Sequence, residues 1–309
     1  MRRSGLVALI IAAFWIEGCQ EKLPVELTPE QSATTLQVSV VPAIDSTLIV
    51  DASVDTSGVL QAEEQMYPAT FLVNGVKTDY GSYRSTFSYS RILLNDKKKP
   101  ITDMAMSKVI GYNGIDVGNA KVNTVDLPKT SRSVRTWTSY LPGLNAGKSY
   151  MLVDQDDVPI PNFTYSAGQS YRFVADGKNA VSSFSKEINS PDEITVVEPK
   201  AGSIAFRNED LHVRWGGKPG GNVRLLISSF DAKSNVPVKP LLQFDIDVRE
   251  VTNTLVVPAK ILQSVRANSD GRYLLSFISS NRITTTIPGY EGNVLVQAAS
   301  IHNVLLWLK

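Results

Sequence analysis

The chain has 309 residues, with 31 lysines and arginines against 30 aspartates and glutamates, two histidines and one cysteine. Balanced charge leaves no basic footprint for neutralising phosphates, so nucleic acid is not an expected partner. A single cysteine excludes an internal disulfide and any cysteine-clustered zinc or iron-sulfur centre. Glycine, proline, serine, threonine and valine are spread throughout and no long amphipathic helical pattern occurs, which is the composition of an all-β chain. Its length suits two domains of ordinary size.

Arg2 and Arg3 open the chain, Gly5 to Ile16 is an uncharged apolar run, and Ile16-Glu17-Gly18-Cys19 closes it. Twelve helical residues would reach roughly 18 Å, short of the ~30 Å hydrocarbon core of a bilayer. The segment resembles a bacterial lipoprotein signal, in which an aliphatic residue and two small residues precede the lipid-bearing cysteine. Glu17 stands where a small residue is usual. The resemblance implies cleavage after residue 18, acylation of Cys19 and a place on the outer membrane, facing the periplasm or the surface. The mature chain would then carry 31 − 2 = 29 basic and 30 − 1 = 29 acidic residues. Residues 19–33 are polar and proline-bearing, and read as a tether.

Residues 34–190 read as a first β-sandwich. Period-two alternation over Leu36 to Val41 and Thr47 to Val54, with turn residues from Ala43 to Ser46, predicts a hairpin. Asn74-Gly75 is a strong local hairpin signal, since both residues tolerate positive φ. Tyr83, Phe87 and Tyr89 share one strand face, expected in the core, and the charged stretch from Asn95 to Pro100 reads as a solvated hairpin end. In Ser133 to Leu141, Val134 and Trp137 have opposite parity, so with Val134 inside, Trp137 faces water as a stacking platform for a sugar or a protein; a bulge would instead return the ring to the core. Asp154, Asp156 and Asp157 could give oxygen ligands to Ca²⁺, but without EF-hand spacing they equally form a solvated loop. Asp176-Gly177 predicts a turn, and Asn189 to Glu193 a polar joint between domains.

Residues 191–309 are more legible. Ile194-Thr-Val-Val-Glu-Pro, Leu211-His-Val-Arg-Trp-Gly-Gly and Asn222-Val-Arg-Leu-Leu-Ile run as strand, proline kink, strand ending in Trp-Gly, turn, strand. This resembles the opening of the immunoglobulin-like and fibronectin type III-like domains of bacterial surface proteins. Leu211, Val213 and Trp215 alternate with His212 and Arg214, so Trp215 is expected inside. Further strands are expected at Leu241 to Val248, Thr254 to Val257, Gly271 to Ile278 and Val294 to Leu308, with a helical turn after Pro258. The expected fold is thus two β-sandwich domains in tandem, the second Ig-like.

No metalloprotease, nucleophile-elbow, phosphate-loop or dinucleotide motif occurs. His212 and His302 are expected to point outward from strands, and Asp245 and Asp247 share a strand face without a cleft to make them a catalytic pair. The chain therefore reads as a lipid-anchored, non-enzymatic binding or structural protein without cofactor. Its expected partners are the membrane, through Cys19, and a glycan or envelope protein. Glu21, an acidic residue just after Cys19, gives the segment a resemblance to Bacteroidetes-type lipoproteins, which implies two variants, a carbohydrate-binding accessory of an outer-membrane uptake system and a fimbrial subunit.

Overall fold

A computed structural model describes residues 36–40, 48–50, 67–103, 107–136, 144–155, 163–219, 222–230, 239–246, 253–265, 267 and 270–309. The chain is all-β, as expected. The first strands are β1 (Leu36–Val40), β2 (Leu48–Val50), β3 (Ala69–Asp79), β4 (Arg84–Asp103), β5 (Lys108–Gly114), β6 (Ala120–Val122) and β7 (Val125–Asp126). Next come β8 (Lys129–Thr136), β9 (Leu144–Gln155), β10 (Ser170–Ala175), β11 (Phe184–Asn189), β12 (Thr195–Glu198) and β13 (Ile204–Ala205). The last are β14 (Leu211–Gly216), β15 (Asn222–Ser229), β16 (Lys239–Ile246), β17 (Thr254–Val257), β18 (Arg272–Thr285) and β19 (Val294–Leu308). Among the described residues one helix, α1 (Ala259–Ser264), starts behind Pro258 as its N-cap. Among the described residues no helix is long and apolar enough to cross a membrane.

One large sheet runs in the order β1-β16-β15-β18-β19-β3-β4-β5-β9-β8-β2, with β13 alongside β19. Two small sheets, β11-β10-β6-β7 and β12-β14-β17, lie apart from it. The large sheet is assembled around β19, whose sequence VLVQAASIHNVLLWL is buried along nearly its whole length. A strand apolar on both faces needs cover on both. β19 pairs antiparallel with β18 from Arg272 to Thr285, and parallel with β3 from Ala69 to Asp79.

Side chains two apart point the same way. Val294, Val296 and Ala298 of β19 enter a core with Phe71, Val73, Ile92, Leu94, Phe173 and Phe184. Val304, Leu306 and Leu308 enter a second core with Trp215, Leu225 and Phe277. Their common parity puts both cores on one face of the large sheet. The first lies under β11-β10-β6-β7, where the rings of Phe71 and Phe184 stack at 5.0 Å. The second lies under β12-β14-β17, where Trp215 meets Phe277 at 4.6 Å. On the opposite face Ala299 and Ile301 join Leu72, Val76, Tyr89, Leu226 and Ile278 in a third cluster.

The C-terminal strands form the Ig-like or fibronectin III-like sandwich that the sequence resembles. Three strands, β12-β14-β17, face β16-β15-β18-β19, with β13 running parallel to β19. Trp215 is 3% exposed and His212 is exposed. The large sheet is continuous across residue 190, with strands from both sides of it. The outer half of the β18–β19 hairpin, with Ile287 and Val294 to Ala298, belongs to the first core. Nor is the segment from Asn189 to Glu193 a free joint. Ser190 is buried, with its hydroxyl at the Ser166 and Gln169 carbonyls, and Asn281 Nδ2 donates to the Asn189 carbonyl.

Other local expectations are corrected by pairing. β1 pairs with β16 and β2 with β8, so the predicted hairpin is two strands toward opposite edges of the sheet. Asn74-Gly75 is no turn but the middle of β3, where Gly75 leaves room for an aromatic ring: a Cβ there would sit 2.2 Å from Tyr165 Cδ1. Asn95 to Pro100 is not a hairpin end. It lies within β4, and the register jump between Asp96 and Pro100 throws Lys97 to Lys99 out as an exposed bulge. Phe87 and Tyr89 do face the third cluster, whereas Tyr83 is 61% exposed and stacks on Tyr80 at 4.5 Å. Asp176-Gly177 is not the turn: the Gly177 N–H is held by the Val117 carbonyl at 3.0 Å, and the chain turns two residues later at Asn179-Ala180, where the Val181 N–H meets the Lys178 carbonyl at 3.2 Å.

Candidate functional site: a groove between two cores

Between the two cores the shared face of the sheet changes character. Cross-strand registers place Ser279, Ser300, Gly75 and Ser88 in one row across β18, β19, β3 and β4. The next row is Phe277, His302, Lys77 and Thr86. Large apolar side chains stand on either side, so small and polar residues here leave a depression rather than a third core. It is a groove of about 680 Å³, lined by Gly75, Lys77, Thr86, Ser88, Tyr165, Glu193 and Ser300, among others.

One wall is the loop before β10. Tyr165 lays its ring over Gly75, stacks on Tyr171 at 5.8 Å, and donates its backbone N–H to Ser88 Oγ at 2.9 Å. Burial pushes the Tyr165 phenol well above its ordinary pKa. The other wall is the crossing segment, whose Glu193 forms an ion pair with Lys77 from the floor. Both partners are part-exposed, which makes the pair weak in water but well placed to address a ligand.

His302 is the anchor beneath this segment. It is 2% exposed, not outward-facing as expected, because its parity on β19 is that of both cores. Its Nδ1 accepts the Val196 N–H at 2.8 Å and pins β12 to the large sheet. Burial, with Arg84 and Lys77 nearby, brings its pKa down to about 4, so the imidazole is neutral at pH 7 with its proton on Nε2. Asp79, one row on, is pushed up by burial but held below its ordinary value by Arg84 at 2.9 Å and by the Gly81 N–H. Nothing in this set pairs a nucleophile with a base: the histidine's acceptor nitrogen is occupied and the lysine is charge-paired.

A second polar knot lies at Asp116, where Lys129 and Lys178 each approach at 2.9 Å and Tyr150 donates its hydroxyl at 2.8 Å. Burial would raise the carboxyl, but these partners and the Gly118 N–H outweigh it and hold it far below its usual range. The Tyr150 oxygen also accepts the buried Val117 N–H. The knot is saturated and fastens a loop to β9.

The residues singled out from sequence fall elsewhere. Cys19, Trp137, Asp156, Asp157 and Asp247 lie outside the described residues; Asp154 and Asp245 are described only as backbone positions, opposite Ser88 and Arg224. Among the described residues no group of three His, Cys, Asp or Glu side chains could hold a metal ion. Sequence reasoning missed Lys77, Tyr165, Glu193 and Ser300. The available signal was the interruption of an apolar strand by Ser300 and His302, together with a glycine in mid-strand.

No protein-family model and no curated protein matches the sequence. Among solved structures, the fibronectin(III)-like modules of Clostridium thermocellum CbhA align at 12% identity over 85% of this chain and 94% of theirs, with a TM-score of 0.21. The IG1+IG2 segment of DIP-gamma aligns at 11% identity over 75% and 96%, with a TM-score of 0.15. Alignments this loose carry no argument, and the sandwich assignment rests on strand order and register.

Proposed function

We propose that this chain is a non-enzymatic binding or structural protein of the cell envelope, tethered to the outer membrane through a lipid on Cys19. The observation that carries the binding reading is the groove. It is the size of a small-ligand site, it lies where two sandwiches meet, and its charged groups neutralise each other instead of activating a nucleophile. Support for the tether is the basic, apolar, small-then-cysteine order of Met1 to Cys19. Acyl chains contribute about 0.8 kcal/mol per buried methylene, so two or three of them hold a protein on its bilayer.

The tether is tested by growing cells with a radiolabelled fatty acid: label should follow the wild-type protein and be absent from Cys19→Ser. An unlabelled wild type leaves a protein without a lipid anchor. The non-enzymatic reading is tested by incubating the protein with polysaccharide and peptide panels. Turnover abolished by one carboxylate substitution would overturn it.

A further inference from the structure

We propose that the groove between the two cores is a binding site for a neutral, hydroxyl-rich ligand of the size of one or two sugar rings. This rests on the reading of the chain as a binding protein. Its volume, about 680 Å³, lies within the range of small-molecule sites. The chemistry of its surface selects the class. Lys77 and Glu193 meet at its edge as a matched pair. An anion would gain from the ammonium but be repelled by the carboxylate, and a cation the reverse, and either would have to break the pair. A vicinal diol needs neither: one oxygen accepts from the ammonium, which has three donors, while its neighbour donates to the carboxylate, which has spare lone pairs.

The floor supplies the rest. Ser88 and Ser300 flank Gly75 in one row, so hydroxyls that both donate and accept stand on either side of it, each one strand spacing of about 5 Å away. Ser88 is held in place by the Tyr165 N–H, which uses an acceptor site and leaves its own proton to donate. These groups come from rigid strands, so little order has to be gained on binding.

The test is isothermal titration of the purified protein with glucose, galactose, mannose, N-acetylglucosamine and their disaccharides, with inorganic phosphate and spermidine as charged controls. At least one saccharide should bind below about 10 mM, more tightly than either control. Ser300→Ala removes a floor hydroxyl, and Glu193→Gln removes the charge of the acceptor. Each should weaken binding at least about tenfold while the thermal midpoint stays within about 2 °C of wild type. The proposal is overturned if no saccharide binds, if both variants bind as wild type does, or if phosphate or spermidine binds best. Absence of sugar binding in a protein that still takes up fatty acid at Cys19 would remove this site and leave the envelope reading standing.

Discussion

His302 couples the stability of the fold to pH in a window where few other groups titrate. Its folded pKa is about 4 against an ordinary value of 6.5, so between those limits the unfolded chain binds a proton that the native one refuses. Stability is therefore fully present above pH 6.5 and is lost as pH falls toward 4. The slope reaches about 1.4 kcal/mol per pH unit and the total about 3 kcal/mol. The carboxylates held below their ordinary values, Asp79, Asp116 and Glu198, add their own losses only nearer pH 4, because their unfolded values are 3.8 to 4.5. His302→Leu removes the titration and orphans the Val196 N–H, at a cost of about 1–3 kcal/mol at pH 7. Urea unfolding followed by tryptophan fluorescence at pH 7.0, 6.0 and 5.0 should show wild type losing stability while the variant stays nearly flat, the two converging toward about pH 5. Parallel pH profiles for the two proteins would refute the argument.

Trp215→Ala empties the centre of the second core and should cost about 3–5 kcal/mol, read as a lower urea midpoint at unchanged m value. For Gly75→Ala, the new methyl drives the Tyr165 ring off β3, and a loss of about 1–3 kcal/mol should come with a shift of the Tyr165 ring resonances in NMR. Tyr150→Phe strips Val117 N–H and Asp116 of a partner at once; about 1–3 kcal/mol should disappear from the chemical-denaturation free energy. Residues 34–190 expressed alone lack Ile287, Val294 and Val296 from the first core, roughly 5–9 kcal/mol of burial against a typical net stability of 5–15, and should show no cooperative thermal transition. A sharp transition in that fragment would mean that the first sandwich folds without the C-terminal hairpin.

Particular residues show how far local pattern could be read. Leu211 to Trp215 alternates in the sequence as it does in the fold, because a strand with one wet face writes its orientation directly into hydropathy. Pro258 before a short helix is likewise local, following from the φ that proline fixes. Asn74-Gly75 misleads for the same reason. The pair tolerates a turn, but a neighbour from a distant loop needs the missing side chain more.

What the sequence determined unaided is the all-β class, the inward Trp215, the places of seven of the eight strands of the C-terminal sandwich and a chain without charge bias. All of these depend on composition or on neighbours within a few residues. Only the tertiary structure decided which strands pair. β3 and β19 are more than two hundred positions apart, and their register places Lys77 beside His302 and Gly75 beside Ser300. β19 is buried on both sides, so its apolar run shows that it will be covered but not by what. The groove exists because two cores share one sheet face and leave a polar interval between them, an arrangement set by long-range pairing that no local period records.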